Sequence, residues 1–287
     1  MKKLRIVLLA ILLSTLCSCS PAEPTKGAVN SASSAPQAAN IGVNATNSGA
    51  KIEITAGGPA DTVRAFYQKL KEKKFREAIY MTNLRPAVEG LTDAELQDFS
   101  LDFEQLAGQV PAQLEINGEI VTGDSATVTV NLPNADTGKP EVQPIKLRQQ
   151  NGLWVIQSVD DTAAARIKKE GKGYLYNVRI ETHQEEARTM LDRIAKAEMV
   201  QAAQNNGQYS DLNALVAAGL LPADVKTNTS TGYNYEVLIA ADKKSYSATA
   251  YPSQYSKTGK LSFLVELDAK GASHLTSRDN GGKPVKK

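Results

Sequence analysis

The chain has 287 residues, 41% of them hydrophobic, with 33 basic and 31 acidic residues and a formal charge of +2. That length allows about two domains, and near-balanced charge without a clustered basic face excludes the electrostatic footprint of a nucleic-acid binder. Both cysteines, Cys17 and Cys19, lie near the N-terminus, so stability must come from packing and not from a disulfide framework.

The chain begins with Lys2, Lys3 and Arg5, followed by the apolar run 6–13, IVLLAILL. This is the basic and then hydrophobic order of a secretory signal, and it is too short for a span of ~20 apolar residues. The next residues, Leu16-Cys17-Ser18-Cys19, resemble the bacterial lipobox. The resemblance implies cleavage between Ser18 and Cys19, a diacylglycerol thioether on Cys19 and acylation of the new amino terminus. Cutting before Cys17 would put bulky Leu16 where a small side chain is needed. Each buried methylene contributes ~0.8 kcal/mol, so several chains anchor where one would dissociate. Ser20 follows the cysteine and, by the same resemblance, implies the outer membrane, facing the periplasm. The alternative is an ordinary cleaved signal with incidental cysteines. Removing residues 1–18 leaves 30 basic against 31 acidic residues.

Residues 19–57 are rich in Ser, Ala, Asn, Gly, Pro and Thr and nearly free of large apolar side chains. Such a stretch cannot bury enough surface to offset its chain entropy. It is expected to be a tether with a reach of roughly 35 Å.

Residues 58–160 read as a first α+β module. Pro59 suits a first helical turn, and Val63, Phe66, Tyr67 and Leu70 form one stripe. Phe75, Ala78 and Ile79 give a second, short helix. Thr92 and Glu95 make a capping box ahead of a helix through Leu96, Phe99, Phe103 and Leu106, stopped at Gly108. After Pro111 the period becomes two, with turns expected at Asn117-Gly118 and Gly123-Asp124, a loop over 133–141 and a hairpin at Asn151-Gly152. Helices followed by an antiparallel meander resemble the nuclear-transport-factor-two-like cone. The resemblance is carried by Val63-Arg-Ala-Phe-Tyr-Gln, Phe75-Arg-Glu-Ala and Leu153-Trp-Val-Ile. It implies that Tyr67, Tyr80, Asp102, Glu104 and Trp154 could face a cone interior. Members of that superfamily that are enzymes use a base, a tyrosine and a neutral acid, or His–Asp pairs. The module holds no histidine, and no catalytic residue is assigned.

Residues 161–180 read as a connector, helical around 163–169 and broken by Gly171 and Gly173. A helix is expected from about Thr182 to Asn205, with Ala187, Met190, Leu191, Ile194 and Ala202 on one face and Glu198 on the same stripe. There Glu198 must sit at a rim or bond the amides of a neighbouring element. Ser210 is expected to cap a short helix over 211–218. Three strands follow, Tyr233–Ile239, Ser245–Tyr251 and Leu261–Leu267, within a module over 181–275. Residues 276–287, with Lys283, Lys286 and Lys287, are expected to be a disordered tail. The landmarks Ala203-Gln-Asn-Asn-Gly-Gln-Tyr-Ser-Asp-Leu, Gly232-Tyr-Asn-Tyr and Leu261-Ser-Phe-Leu-Val-Glu resemble the head of type IV pilins and pseudopilins. The charged helix before them, with Glu181, His183, Glu185, Glu186 and Arg188, departs from the long apolar helix of a pilin subunit.

The expected architecture is therefore α+β in two small domains. The expected function is a non-enzymatic envelope lipoprotein that binds or scaffolds, held by membrane lipid through Cys19 and meeting an envelope protein partner. The alternatives are an accessory part of a pilus or type II secretion system, and a small-molecule binder or enzyme using the cone. No cofactor is expected, and the only histidines, His183 and His274, are far apart in sequence.

Overall fold

The structure is a computed structural model that describes residues 53–134, 137–229, 231–268 and 270–286. The signal, Ser18, Cys19 and nearly all of the expected tether lie outside the described residues.

The first module starts with helix α1 (Pro59–Lys71), whose stripe Val63, Phe66 and Leu70 is buried. Its N-terminus receives a carboxylate from far along the chain, because Ala60 N donates to Glu119 Oε2 at 2.9 Å. A negative group there complements the helix dipole. Short helices α2 (Phe75–Ile79) and α3 (Arg85–Glu89) follow. The capping box at Thr92 and Glu95 forms as expected and opens α4 (Asp93–Gln97). The single helix expected over this region is two, with α5 running from Ser100 to Gly108. The break at Asp98-Phe99 buries the Phe99 ring completely and leaves the Asp98 carbonyl outside the helix ladder.

A sheet of four antiparallel strands follows in the order β1 (Glu115–Thr122), β2 (Ser125–Pro133), β3 (Pro140–Gln150), β4 (Leu153–Ile156). The turn expected at Asn117-Gly118 is instead a bulge inside β1, where the pairing shifts between Ile116 and Gly118. The Asn151-Gly152 hairpin is present, with φ of 52° and 80°, the two positive values that a type I′ turn requires. Ala126, Val128, Val130 and Leu132 of β2 point at α1 and form one apolar cluster with it.

Residues 161–180, expected as a connector helical around 163–169, are helical with the expected break at Gly171, and they pack into the first module's core. Helix α6 (Asp161–Glu170) is capped by Asp160 and ended by Gly171 at φ 54°. After one turn of 3-10 helix, α7 runs unbroken from Tyr174 to Gln204. At 1.5 Å per residue its 31 residues span about 46 Å. Its first turns place Tyr174, Leu175 and Val178 in a second apolar cluster with Phe99, Phe103 and Ile167 of the first module. Its later turns place Ala187, Leu191 and Ile194 in the core of the second module. One helix therefore belongs to both cores.

The second module adds α8 (Leu212–Ala217) and a sheet ordered β5 (Tyr233–Ile239), β6 (Tyr246–Pro252), β7 (Leu261–Leu267), β8 (Ser273–Asp279). Asp211, not Ser210, caps α8, accepting from Ala214 N at 2.9 Å. Three strands were expected and four are present. The expected tail carries most of β8 and ends in a folded segment, held where Asn280 Nδ2 donates to the carbonyls of Lys283 and Pro284, with Val285 buried. The alternation of β8 had no apolar face to betray it, since all seven residues are exposed. No helix among the described residues is long and apolar enough to cross a membrane.

Candidate functional site

The five residues expected in a cone interior fall in four places. Tyr67 and Trp154 pack against the cluster between α1 and the first sheet, where burial pushes the Tyr67 hydroxyl pKa up. Tyr80 packs on the other cluster, under the Arg85 guanidinium at 5.1 Å. Glu104 is exposed and meets Lys73 Nζ at 3.1 Å. Asp102 faces α7, where it accepts from Arg179 Nη2 at 2.9 Å. Sequence reasoning grouped them by fold analogy. Helix phase separates them, because Asp102 and Glu104, two positions apart on α5, face different ways.

A constellation of polar side chains lies where the two modules meet, along the first third of α7. Arg179 donates to the Asp98 carbonyl at 2.9 Å as well as to Asp102, and its guanidinium lies 4.0 Å from the centre of the Phe99 ring. Asp98 Oδ2 accepts from Tyr176 Oη at 2.6 Å and from Lys257 Nζ at 2.8 Å. These two bonds, Lys257 first, hold the Asp98 carboxyl below the usual carboxylate range. One turn further along α7, His183 Nδ1 lies 3.1 Å from the Thr258 carbonyl. Burial lowers the pKa of His183 and keeps it neutral at pH 7, so Nδ1 carries the proton that this bond needs. Gln184 Oε1 accepts from the backbone amides of Lys260 and Leu261 at 3.2 and 3.1 Å. The loop between β6 and β7 is thereby tied to α7 and, through Asp98, to the first module.

What this arrangement does chemically is fix geometry. Its acids are spent on Arg179, Lys257 and Tyr176, and its histidine on a carbonyl. The two histidines hold separate partners, since His274 Nε2 meets Asp268 Oδ2 at 3.0 Å. No group of three or more His, Cys, Asp or Glu side chains is placed to hold a metal among the described residues. Sequence reasoning missed Asp98, Tyr176, Arg179 and Lys257. The available signal was Tyr174, Leu175 and Val178, an apolar set at helical spacing (i, i+1, i+4) on the face opposite to Leu191 and Ile194, which extends the helix backwards through the supposed connector.

The chain is an α+β protein with two antiparallel sheets, joined by one shared helix. A solved structure from Campylobacter jejuni, named as an NTF2-like transpeptidase, is similar to 35% of this chain and 97% of its own, at 16% identity and a TM-score of 0.25. At that TM-score the likeness carries no weight for function. No protein-family model matches the sequence, and no curated protein matches it.

Proposed function

We propose that this protein is a lipid-anchored scaffold of the bacterial envelope, which holds two recognition modules in one fixed relative orientation. The anchor is acylated Cys19, and the stretch over 19–57 lets the modules stand off the outer membrane on its periplasmic side. The observation that carries the scaffold reading is the sharing of α7 between both cores, reinforced by Arg179, Lys257 and His183 at the junction. Two modules that acted separately would need only a flexible linker. A continuous helix is the stiffer solution.

The test is cross-linking in intact cells followed by mass spectrometry. A repeatable envelope partner is expected with the natural chain, and its recovery should fall in a Thr182→Pro variant, which interrupts α7 between the two cores. Failure to recover any repeatable partner overturns the reading. Mass spectrometry of the mature N-terminus tests the anchor, with a triacylated Cys19 expected.

The order of elements in the second module supports a second reading. A helix, a short capped helix and an antiparallel sheet suit a pilin-like head, recruited to a type IV pilus or type II secretion system. Normal piliation and secretion in a deletion strain would remove it.

A further inference from the structure

The outer face of the second sheet holds a groove that neither the junction nor the anchor uses. One face of this sheet packs on α7 through Ala248, Ala250, Phe263 and Val265. The opposite face carries a cavity of about 320 Å³ lined by Leu264, Glu266, Thr276, Ser277, Arg278, Val285 and Lys286, two cations and one carboxylate among them. Ligand pockets run from ~300 Å³ upward, so this one suits one or two side chains and no large cofactor.

Its chemistry is asymmetric. Leu264 and Val285 are 5% and 6% exposed and give an apolar floor. Arg278 and Lys286 give two cations, and neither makes an ion pair or side-chain hydrogen bond among the described residues. Thr249 pairs with Leu264 and Ser262 with Arg278, so both hydroxyl side chains share the cavity's face. Among the described residues, Thr249 Oγ1 and Ser262 Oγ are buried without a partner, and a hydroxyl can donate. Neither hydroxyl lines the cavity itself, and it is the two cations beside the apolar floor that suit an anionic group attached to an apolar side chain.

The cavity also follows a strand edge. Thr276, Ser277 and Arg278 are consecutive, and their side chains alternate in direction, so a space lined by all three reaches the backbone of β8. That strand pairs with β7 alone among the described strands and is exposed along its whole length. It contains neither proline nor bulge, two of the usual protections of an edge, and its charged side chains are Arg278 and Asp279, with His274 beside them.

We infer that β8 and this cavity capture the C-terminal end of an extended partner peptide. The peptide backbone adds as a fifth strand at the β8 edge. Its last side chain, apolar, rests on Leu264 and Val285. Its terminal carboxylate accepts from Arg278 and Lys286. β-Strand addition supplies backbone bonds, and the carboxylate supplies direction and specificity.

The test uses the purified chain, immobilised, and two pentapeptide pools randomised at four positions and ending in Val, Leu, Ile or Phe. One pool has free C-termini and the other is amidated, and recovery is read by mass spectrometry. At least tenfold enrichment of the free-acid pool is expected, falling at least fivefold in an R278Q/K286Q variant. Both substituted side chains lie on exposed residues, and an unchanged melting temperature verifies that the variant folds. Slower hydrogen exchange of the β8 amides with bound peptide is the second expected readout. Equal recovery of acid and amide pools, no recovery at all, unchanged recovery by the variant, or unprotected β8 amides each overturn the inference. Loss of the in-cell partner after Thr182→Pro bears on the scaffold alone and leaves this result unaffected.

Discussion

Lys257 and Asp98, 159 residues apart in sequence, meet at 2.8 Å and close the junction between the modules. Their side chains are 48% and 30% exposed, so the pair is half in solvent. Water screening makes such a pair worth less than about 1 kcal/mol. Its role is to select the position of the β6–β7 loop more than to stabilise the fold.

A double-mutant cycle between Lys257→Ala and Asp98→Ala should therefore give a small coupling, about 0.5 kcal/mol, in urea denaturation. Asp98→Ala should cost more than Lys257→Ala, because it also takes the acceptor from Tyr176 Oη. A coupling above about 2 kcal/mol would contradict this account.

Arg179 is the opposite case. It is only 17% exposed, it bonds both Asp102 and the Asp98 carbonyl, and it stacks on Phe99. Arg179→Ala should destabilise the first module by about 2–3 kcal/mol. Arg179→Lys should recover less than half of that, since an ammonium has no planar fork and stacks poorly. Equilibrium unfolding of the three chains decides it.

Gly232 is required by its neighbour. A methyl built there would sit 2.2 Å from His183 Nδ1, and the backbone holds φ at +66°. Gly232→Ala should cost about 2–4 kcal/mol, combining overpacking with left-handed strain. Adding His183→Ala should restore part of the loss by removing the clash. The strain at φ +66° should remain. Thermal melts of the single and double variants test both halves.

Glu198 sets a pH dependence. Its side chain is fully buried, Oε2 accepts from Ser210 N at 3.1 Å, and Oε1 has no partner among the described residues. Of the two sequence expectations, rim or amide acceptor, the structure realises the second. Burial pushes its pKa from 4.5 up to about 7. The folded state then holds this proton more tightly than the unfolded chain. The contribution is most favourable below pH 4.5 and is lost as pH rises through about 7. Glu198→Gln should flatten the fall in stability between pH 5 and 8 by on the order of 2–3 kcal/mol. Identical pH slopes for the two proteins, measured by chemical denaturation, would refute this. His183, whose pKa is lowered, acts oppositely and erodes stability as pH falls below its unfolded value of 6.5.

Local patterns made much of the fold legible. The α1 stripe, the Thr92–Glu95 capping box, the Asn151-Gly152 hairpin and β5 and β7 follow from periodicity and turn chemistry, which act over a few residues. The candidate site was much less legible. Tyr67, Tyr80, Asp102, Glu104 and Trp154 were grouped by analogy, and the structure gives them separate neighbours.

What the sequence determined by itself was the α+β class, most of the elements and the buried faces, because apolar spacing and capping are short-range. Only tertiary structure decided that α7 serves both cores, that Asp98 meets Arg179 and Lys257, and that an eighth strand lies beside a groove holding Arg278 and Lys286. The physical reason is that charged and exposed side chains carry no periodic signal. An ion pair is fixed by where the packed cores bring its two ends, and β8 is held by its backbone bonds to β7 and not by an apolar face of its own.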